Sequence, residues 1–325
     1  MKKLAIVGAT GLVGQSVIKV LNEEGLFDRF EIFMIGSSQS AGKVLIFNNK
    51  HFTILELDES VFELGLDYAI FLTKEDVSAV WVKKFAEHGI ISIDNSSAFR
   101  LEKNVPLVVP EINLYEIKAA DNIIANPNCS TIQLVVVLDK LMKLGKIKQV
   151  VVSSYQSVSG AGKEALFDLL DDTTNVFKYG IKDNLIAQIG RIEANGNCTE
   201  ENKIINETKK ILNLDAEIVA TTVRVPISFC HGESVFVKFE NETNLDEIKK
   251  VLSCDYISVS DNLFYPNKCV GSNLTYVSRL RKPAADSLQF FVIADNLRRG
   301  ASYNAVKILE NISKIKEKFW KLQNI

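Results

Sequence analysis

The first third of the chain alternates short apolar runs with stretches whose apolar positions recur every three or four residues. Residues 3–7 form an apolar strand, and after a break Val17, Ile18, Val20 and Leu21 recur at helical spacing. Further strands are predicted over 31–35, 54–57, 68–72, 90–93 and 123–125, with a helix between Val77 and Glu87. Strand alternating with helix builds a mostly parallel, doubly wound sheet, so the predicted class is α/β. The pattern then changes. Asn126-Pro127-Asn128-Cys129-Ser130-Thr131 is a turn that cannot continue a helix, and the apolar run over 131–143 reads as a buried helix.

Beyond that helix the segments are richer in strand. A strand over 149–154 leads into Tyr155-Gln156-Ser157-Val158-Ser159-Gly160-Ala161-Gly162-Lys163, a glycine and hydroxyl turn that opens another helix. Residues 171–196 lack clear periodicity and are expected to be loop. A helix follows through Ile204, Ile205, Ile211 and Leu212, and then two strands, 219–223 and 234–239, which read as paired with each other. The strand over 288–293 precedes Ala294-Asp295-Asn296-Leu297-Arg298-Arg299-Gly300-Ala301. That segment opens a long helix through Ala305, Ile308, Leu309 and Ile312, which is expected to pack back on the first domain.

Composition narrows the functional classes. The chain has 325 residues, room for two domains, and a formal charge of -2, which provides no basic field for nucleic acid. Its longest apolar runs fall far short of the roughly 20 residues that a membrane helix needs, so no membrane partner is expected. Five cysteines without a Cys-x-x-Cys pair, behind a start that runs straight into a strand, read as a reducing compartment without a signal peptide. The expected location is cytoplasmic.

Candidate chemistry gathers at the breaks in the pattern. Gly8-Ala9-Thr10-Gly11-Leu12-Val13-Gly14 stands between the first strand and helix, where glycines admit a pyrophosphate at a helix N-terminus. Its spacing is Gly-x-x-Gly-x-x-Gly and not the Gly-x-Gly-x-x-Gly of the NAD fingerprint. The second strand ends in Gly36-Ser37-Ser38-Gln39-Ser40-Ala41-Gly42-Lys43, with no acid to hold the ribose hydroxyls, so NADP is favoured over NAD. Arg100, in Asp94-Asn95-Ser96-Ser97-Ala98-Phe99-Arg100, is a candidate anion clamp because a guanidinium forks two bonds onto a phosphate or carboxylate.

Cys129 falls at a helix start, where unpaired amides and the positive end of the dipole favour a thiolate nucleophile. The alternative is a small buried core residue. Gln156, at the end of a strand, is placed to orient a substrate carbonyl, and Ser159 with Gly160 to approach a cofactor. Glu200 and Lys203 share a helix face, an ordinary surface pair if they have no ligand. His51 and His88 have structural explanations. His231, in Arg224-Val225-Pro226-Ile227-Ser228-Phe229-Cys230-His231-Gly232, has none and is the candidate acid/base, with an expected pKa in the useful range. Cys198, Cys230, Cys254 and Cys269 lack metal-ligand spacing and are assigned to packing, and no metal is expected.

Together these motifs resemble the bacterial aspartate-β-semialdehyde dehydrogenases over nearly the full length, through residues 8–14, 96–100, 126–131, 156–162, 224–232 and 295–301. The resemblance implies a Rossmann-type NADP-binding domain over 1–128, completed by 297–325, and an α/β catalytic and dimerisation domain over 129–296. It implies a homodimer or dimer of dimers. By the same resemblance Cys129 is the nucleophile and His231 the acid/base that takes its proton. Gln156, Glu200 and Arg224 contact substrate, and Arg100 with Lys203 holds phosphate. Gly8, Thr10, Gly11, Leu12, Val13, Gly14, Ser37, Gln39, Ser40, Ser159, Gly160 and Asn296 line the cofactor. The implied reaction interconverts L-aspartate 4-semialdehyde, inorganic phosphate and NADP with L-4-aspartyl phosphate and NADPH. It passes through a cysteine thioester and serves lysine (diaminopimelate), threonine and methionine synthesis. Amide donors near Asn128 and Cys129 are expected to stabilise the oxyanion.

The chain departs from the family at three places. Leu72-Thr73-Lys74-Glu75-Asp76 replaces a small Ser-Ala-Gly-Gly-Ser loop, Gln39 stands where many members carry arginine, and 171–196 is shorter than usual. Two other readings remain at this point. An N-acetylglutamyl-phosphate reductase shares the cysteine logic but has Asn-Pro-Gly-Cys followed by an aromatic residue. An inactive NADP-binding regulator would keep the glycine turn without the other groups.

Overall fold

The computed structural model describes residues 1–323 and divides into two compact units, one of Met1–Pro127 with the chain from Ala301 onward, the other of Asn128–Gly300. The first unit opens with β1 (Lys2–Val7), α1 (Leu12–Glu23) and β2 (Phe30–Gly36). The hairpin of β3 (Val44–Phe47) and β4 (Lys50–Thr53) follows, then β5 (Leu55–Glu56), β6 (Tyr68–Phe71), α2 (Glu75–Glu87) and β7 (Ile91–Asp94). The short α3 (Pro110–Asn113) and β8 (Ile123–Ala125) complete it. Six strands pair in the order β5-β2-β1-β6-β7-β8, every neighbouring pair parallel. Both faces are covered, which is why the strands read as continuous apolar runs. Leu4 and Ile6 pack with Val17, Val20 and Leu21 of α1, while Ala5 and Val7 face the other way onto Val82 and Phe85 of α2. Period two in the strand and 3.6 in the helices thus meet on each side.

The second unit begins with α4 (Cys129–Met142), in which Ser130 to Leu138 are all buried. A helix apolar on every side belongs inside a core, and each buried aliphatic side chain contributes about 1.5–3 kcal/mol. Three consecutive valines favour a strand locally, but the Asn128 cap and the helix length of 14 residues override them. Next come β9 (Ile147–Gln156), α5 (Lys163–Leu170), a long loop, α6 (Thr199–Leu212), β10 (Glu217–Arg224) and β11 (His231–Phe239). They are followed by α7 (Leu245–Leu252), β12 (Ile257–Val259), the short α8 (Pro266–Cys269), β13 (Thr275–Arg281) and β14 (Ser287–Ala294).

This second sheet runs β10-β9-β11-β14-β13-β12 and is mixed. The two strands expected to pair with each other do not. β9 lies between them, parallel to β10 and antiparallel to β11. The segment from Arg224 to His231 is a crossing loop over β9 and not a hairpin turn, a distinction that local periodicity does not carry. Residues 171–196 hold no helix or named strand, as their weak periodicity indicated.

After a single π-helical turn at Arg298–Ser302 the chain rejoins the first unit as α9 (Tyr303–Gln323). Ala305, Val306, Ile308, Leu309 and Ile312 join the core on the α1 side of the first sheet, so the C-terminal helix does pack back on the first domain. Asn324 and Ile325, the end of the expected 297–325 segment, lie outside the described residues.

Candidate active site

The second unit carries a row of polar side chains at one end of its sheet. Arg224 ends β10, Gln156 ends β9 and His231 begins the antiparallel β11. The register pairs Arg224 with Gln156 and Gln156 with His231. Residues opposite one another in a sheet project on the same face, so all three point toward the helix layer, and all are buried. Arg224 Nη1 donates to the Ser157 carbonyl at 2.6 Å, which fixes the guanidinium beside the strand end. Burial lowers its pKa, while the nearby Glu200 and Cys129 favour its charge. Gln156 Nε2 donates to Ser154 Oγ at 3.2 Å. Gly160 packs over this row. A Cβ there would lie 3.0 Å from Arg224 Nη1 and 3.3 Å from His231 Nε2, tighter than most real contacts.

Cys129 is the first residue of α4, and the residue before it organises that start. Asn128 Oδ1 accepts from the Ser130 amide at 2.9 Å and the Thr131 amide at 3.3 Å, its Nδ2 donates to Glu200 Oε1 at 2.8 Å, and its own amide donates to Glu207 Oε2 at 2.6 Å. Two carboxylates of α6 therefore grip the turn that presents the thiol. The amides of Asn128, Ser130 and Thr131 are engaged in these bonds. Glu200 also receives Lys203 Nζ at 3.4 Å, with Glu200 nearly buried and Lys203 a third exposed.

His231 is fully buried. Its Nδ1 faces the Ser157 amide at 3.0 Å and Ser157 Oγ at 3.2 Å, and Nε2 has no hydrogen-bond partner among the described residues. Desolvation, reinforced by the Arg224 charge and opposed by Glu200, lowers its pKa to about 3. The expectation of a ring titrating in the neutral range is thereby corrected, because burial costs the imidazolium more than Glu200 returns. Asn296, assigned to the cofactor from the sequence, is buried behind this ring. Its Oδ1 accepts from the Cys230 amide at 2.9 Å, and its Nδ2 donates to Ser159 Oγ at 3.0 Å.

Several groups at this end of the sheet escaped the sequence reading. Ser157 meets the imidazole through its amide and its hydroxyl. Glu207 lies seven residues after Glu200, two helical turns along the same face, a spacing that could have revealed it. Glu233 shares the His231 face of β11, two residues on, and is fully buried. Desolvation raises its pKa to about 8, with the Gln133 amide of α4 acting in the opposite sense. Cys198, Cys230 and Cys269 are buried, as their assignment to packing required, whereas Cys254 is only partly so. No cluster of three or more candidate metal ligands occurs among the described residues.

In the first unit, residues 8–11 form the turn between β1 and α1, and residues 12–14 open the helix. Gly8 has φ +88°, and a Cβ on it would fall 2.6 Å from the Leu72 carbonyl oxygen, while one on Gly14 would fall 2.5 Å from the Gly8 oxygen. Glycine is therefore required at both places, by conformation and by close approach. Gly11 caps α1 without a side-chain bond, and the first turn holds no acid. Such a start fits the pyrophosphate of a dinucleotide. Thr10 sits in the turn and Leu12 and Val13 in the first turn of α1, and Ser37, Gln39 and Ser40 follow β2, with Ser37 and Gln39 exposed. The departure at Leu72 stays compatible with the turn, since it is the Leu72 backbone that meets Gly8. Arg100 is buried, with Nε donating to the Asn126 carbonyl at 2.9 Å and Nη2 to the Asn95 carbonyl at 2.7 Å.

The fold and this site define a two-part dehydrogenase acting on an aldehyde. The semialdehyde dehydrogenase NAD-binding domain matches residues 3–120, and the semialdehyde dehydrogenase dimerisation domain matches residues 138–299. Aspartate-semialdehyde dehydrogenase of Bacillus subtilis is 37% identical, the match covering 96% of this chain and 97% of that protein. The crystal structure of aspartate semialdehyde dehydrogenase II from Vibrio cholerae, complexed with ASA, superposes with a TM-score of 0.91 at 35% identity, covering 97% of this chain and 98% of that one. The Candida albicans enzyme, solved with NADP, gives a TM-score of 0.77 at 25% identity over 95% of this chain and 98% of that one. The chain belongs to the aspartate-semialdehyde dehydrogenase family, and it is an oxidoreductase of amino-acid biosynthesis with a nicotinamide-binding Rossmann domain. No described helix is long and apolar enough to cross a membrane.

Proposed function

We propose that this chain catalyses the NADP-dependent, phosphate-dependent interconversion of L-aspartate 4-semialdehyde and L-4-aspartyl phosphate through a thioester on Cys129. The observation that carries the reading is the buried row of Arg224, Gln156 and His231 at one sheet end, with the Cys129 thiol acting on Arg224 from the start of α4. Arg224 holds the substrate carboxylate as a bidentate fork, Gln156 orients the carbonyl, and Glu200 helps to position the substrate. The Cys129 sulfur attacks the aldehyde carbon, and phosphate held by Arg100 and Lys203 later displaces it from the thioester as an acyl phosphate. A bound nicotinamide supplies the hydride acceptor for the oxidation. Residues 8–14 hold its pyrophosphate, and Ser37, Gln39 and Ser40 face the 2′-phosphate. Ser159, Gly160 and Asn296 contact the cofactor as well.

The V. cholerae structure is complexed with ASA and the C. albicans structure with NADP, and both support this choice of ligands. The N-acetylglutamyl-phosphate alternative gains nothing from the relatives. The product serves lysine (diaminopimelate), threonine and methionine synthesis in the cytoplasm. A homodimer or dimer of dimers forms through the second unit, whose sheet turns Tyr155, Val219, Phe236 and Phe291 away from its helices and leaves them exposed or only partly buried. Initial rates with NADP and with NAD, each with and without phosphate, test the reading. The expected result is phosphate-dependent reduction with the higher kcat/KM for NADP. Reduction that ignores phosphate would overturn it.

A further inference from the structure

We propose that Gly300 is a positioning residue for the nucleophile: the segment from Ala294 to Gly300 braces Cys129 against the strand that carries His231, and the missing side chain at Gly300 is what lets the thiol sit at its working place. The inference rests on the reading of Cys129 as nucleophile given above.

The fold sets both ends of the brace. At one end Ala294, the last residue of β14, pairs with His231 at the start of β11. At the other end the backbone of Gly300 lies against the first residue of α4. A Cβ on Gly300 would fall 2.9 Å from the Cys129 Cβ and 3.2 Å from both its Cα and its carbonyl oxygen. Between these ends the chain is tied down. Asp295 is buried, and its Oδ1 accepts from the Leu297 amide at 2.9 Å and the Arg298 amide at 3.1 Å, while its Oδ2 accepts from the Gly271 amide at 2.8 Å. Arg298 Nε donates to Asn273 Oδ1 at 3.0 Å. The Gly300 amide closes the π-type bond, donating to the Asp295 carbonyl five residues back at 3.0 Å. Single π turns of this kind occur often beside functional groups.

Conformation does not ask for glycine here. Gly8 has a positive φ, but Gly300 does not, so its backbone would accept any residue. Glycine is also a poorer helix former than alanine, and the local preference therefore runs against it. Only the contact with Cys129 requires it. A Cβ at residue 300 would meet a Cβ, a Cα and a carbonyl oxygen, none of which can swing aside as the end of a long side chain does. Either Cys129 or the brace must then give way. Because Asn128 is held from the α6 side by Glu200 and Glu207, the start of α4 is not free to follow, and the spacing between thiol and imidazole changes. Attack of sulfur on a carbonyl carbon depends steeply on such spacing.

The test is G300A in the full chain, assayed with aspartate semialdehyde, NADP and phosphate. The variant should lose about tenfold to a hundredfold in kcat, with little change in KM for the semialdehyde, whose carboxylate is held by Arg224. A kcat equal to that of the wild type, or an effect confined to KM, would overturn the proposal. Urea unfolding separates the contact from a general loss of fold and needs no substrate. G300A should lower the midpoint, and should lower it less in a C129G background, where the Cβ at 2.9 Å is gone. An equal cost in both backgrounds, failure of both to fold included, would show that Gly300 does not make room for Cys129. A wild-type enzyme inactive toward aspartate semialdehyde would instead reject the functional reading, with the unfolding cycle still deciding the contact.

Discussion

Two helices of this molecule begin after a strand and a sharp turn, and they use their N-termini in opposite ways. α1 is capped by Gly11, with no side-chain bond and no acid in its first turn. α4 is capped by Asn128, whose side chain takes the amides of Ser130 and Thr131. The first start is left open for a ligand to finish. The second is finished by the protein, and its task is to hold one sulfur in place. A helix N-terminus is therefore not a function in itself; the capping residue decides whether its amides serve an anion or the fold.

The comparison breaks first at the sulfur. Cys129→Ala should lower turnover at least about a thousandfold, because the acyl intermediate has no other nucleophile, while cofactor affinity measured by fluorescence stays near wild type. Parallel loss of both would mean that the second start also serves the cofactor. Gly14→Ala addresses the open start. Its Cβ would meet the Gly8 oxygen at 2.5 Å, a backbone clash with an overpacking cost of about 1–3 kcal/mol. Cofactor affinity should fall along with melting temperature, and unchanged affinity would show that the turn does not hold the dinucleotide.

Asn128→Ala sharpens the contrast from the other side. Losing the cap should cost about 1–2 kcal/mol in urea unfolding, with activity reduced and cofactor affinity retained. No change in stability would mean that the two capping bonds contribute nothing. The smallest effect belongs to Glu233. Its pKa rises from 4.5 to about 8 on folding because burial disfavours the charge, so its contribution to stability is complete below about pH 4.5 and is lost as pH rises through 8. Glu233→Gln should flatten the fall of the urea midpoint between pH 6 and pH 8. An unchanged slope would place that titration in another group.

Most of this architecture was legible because local signals and the fold agree. The first sheet follows from apolar runs alternating with helical spacing, and Cys129 at a helix start follows from Asn-Pro-Asn before an apolar run. Where the reading failed, the deciding partner was distant in sequence. β9 separates β10 from β11, and no periodicity in either strand announces a third between them. The amides of Asn128, Ser130 and Thr131 are taken by Glu207 and by the Asn128 side chain, partners that the turn sequence alone does not show. His231 looked like a neutral-range titrating group because burial beside Arg224 cannot be seen from its neighbours in the chain. Asn296 was singled out, but its bonds to Ser159 and Cys230 span a long stretch of sequence and emerge only in the folded unit.

The central claim is that an acyl group rests on Cys129 until phosphate removes it. Rapid mixing with aspartate semialdehyde and NADP in the absence of phosphate tests it most directly. The account predicts a burst of about one NADPH per active site, acyl mass on the peptide bearing Cys129, and resumed turnover when phosphate is added. Continuous turnover without phosphate, or a burst with the mass on another residue, would contradict it.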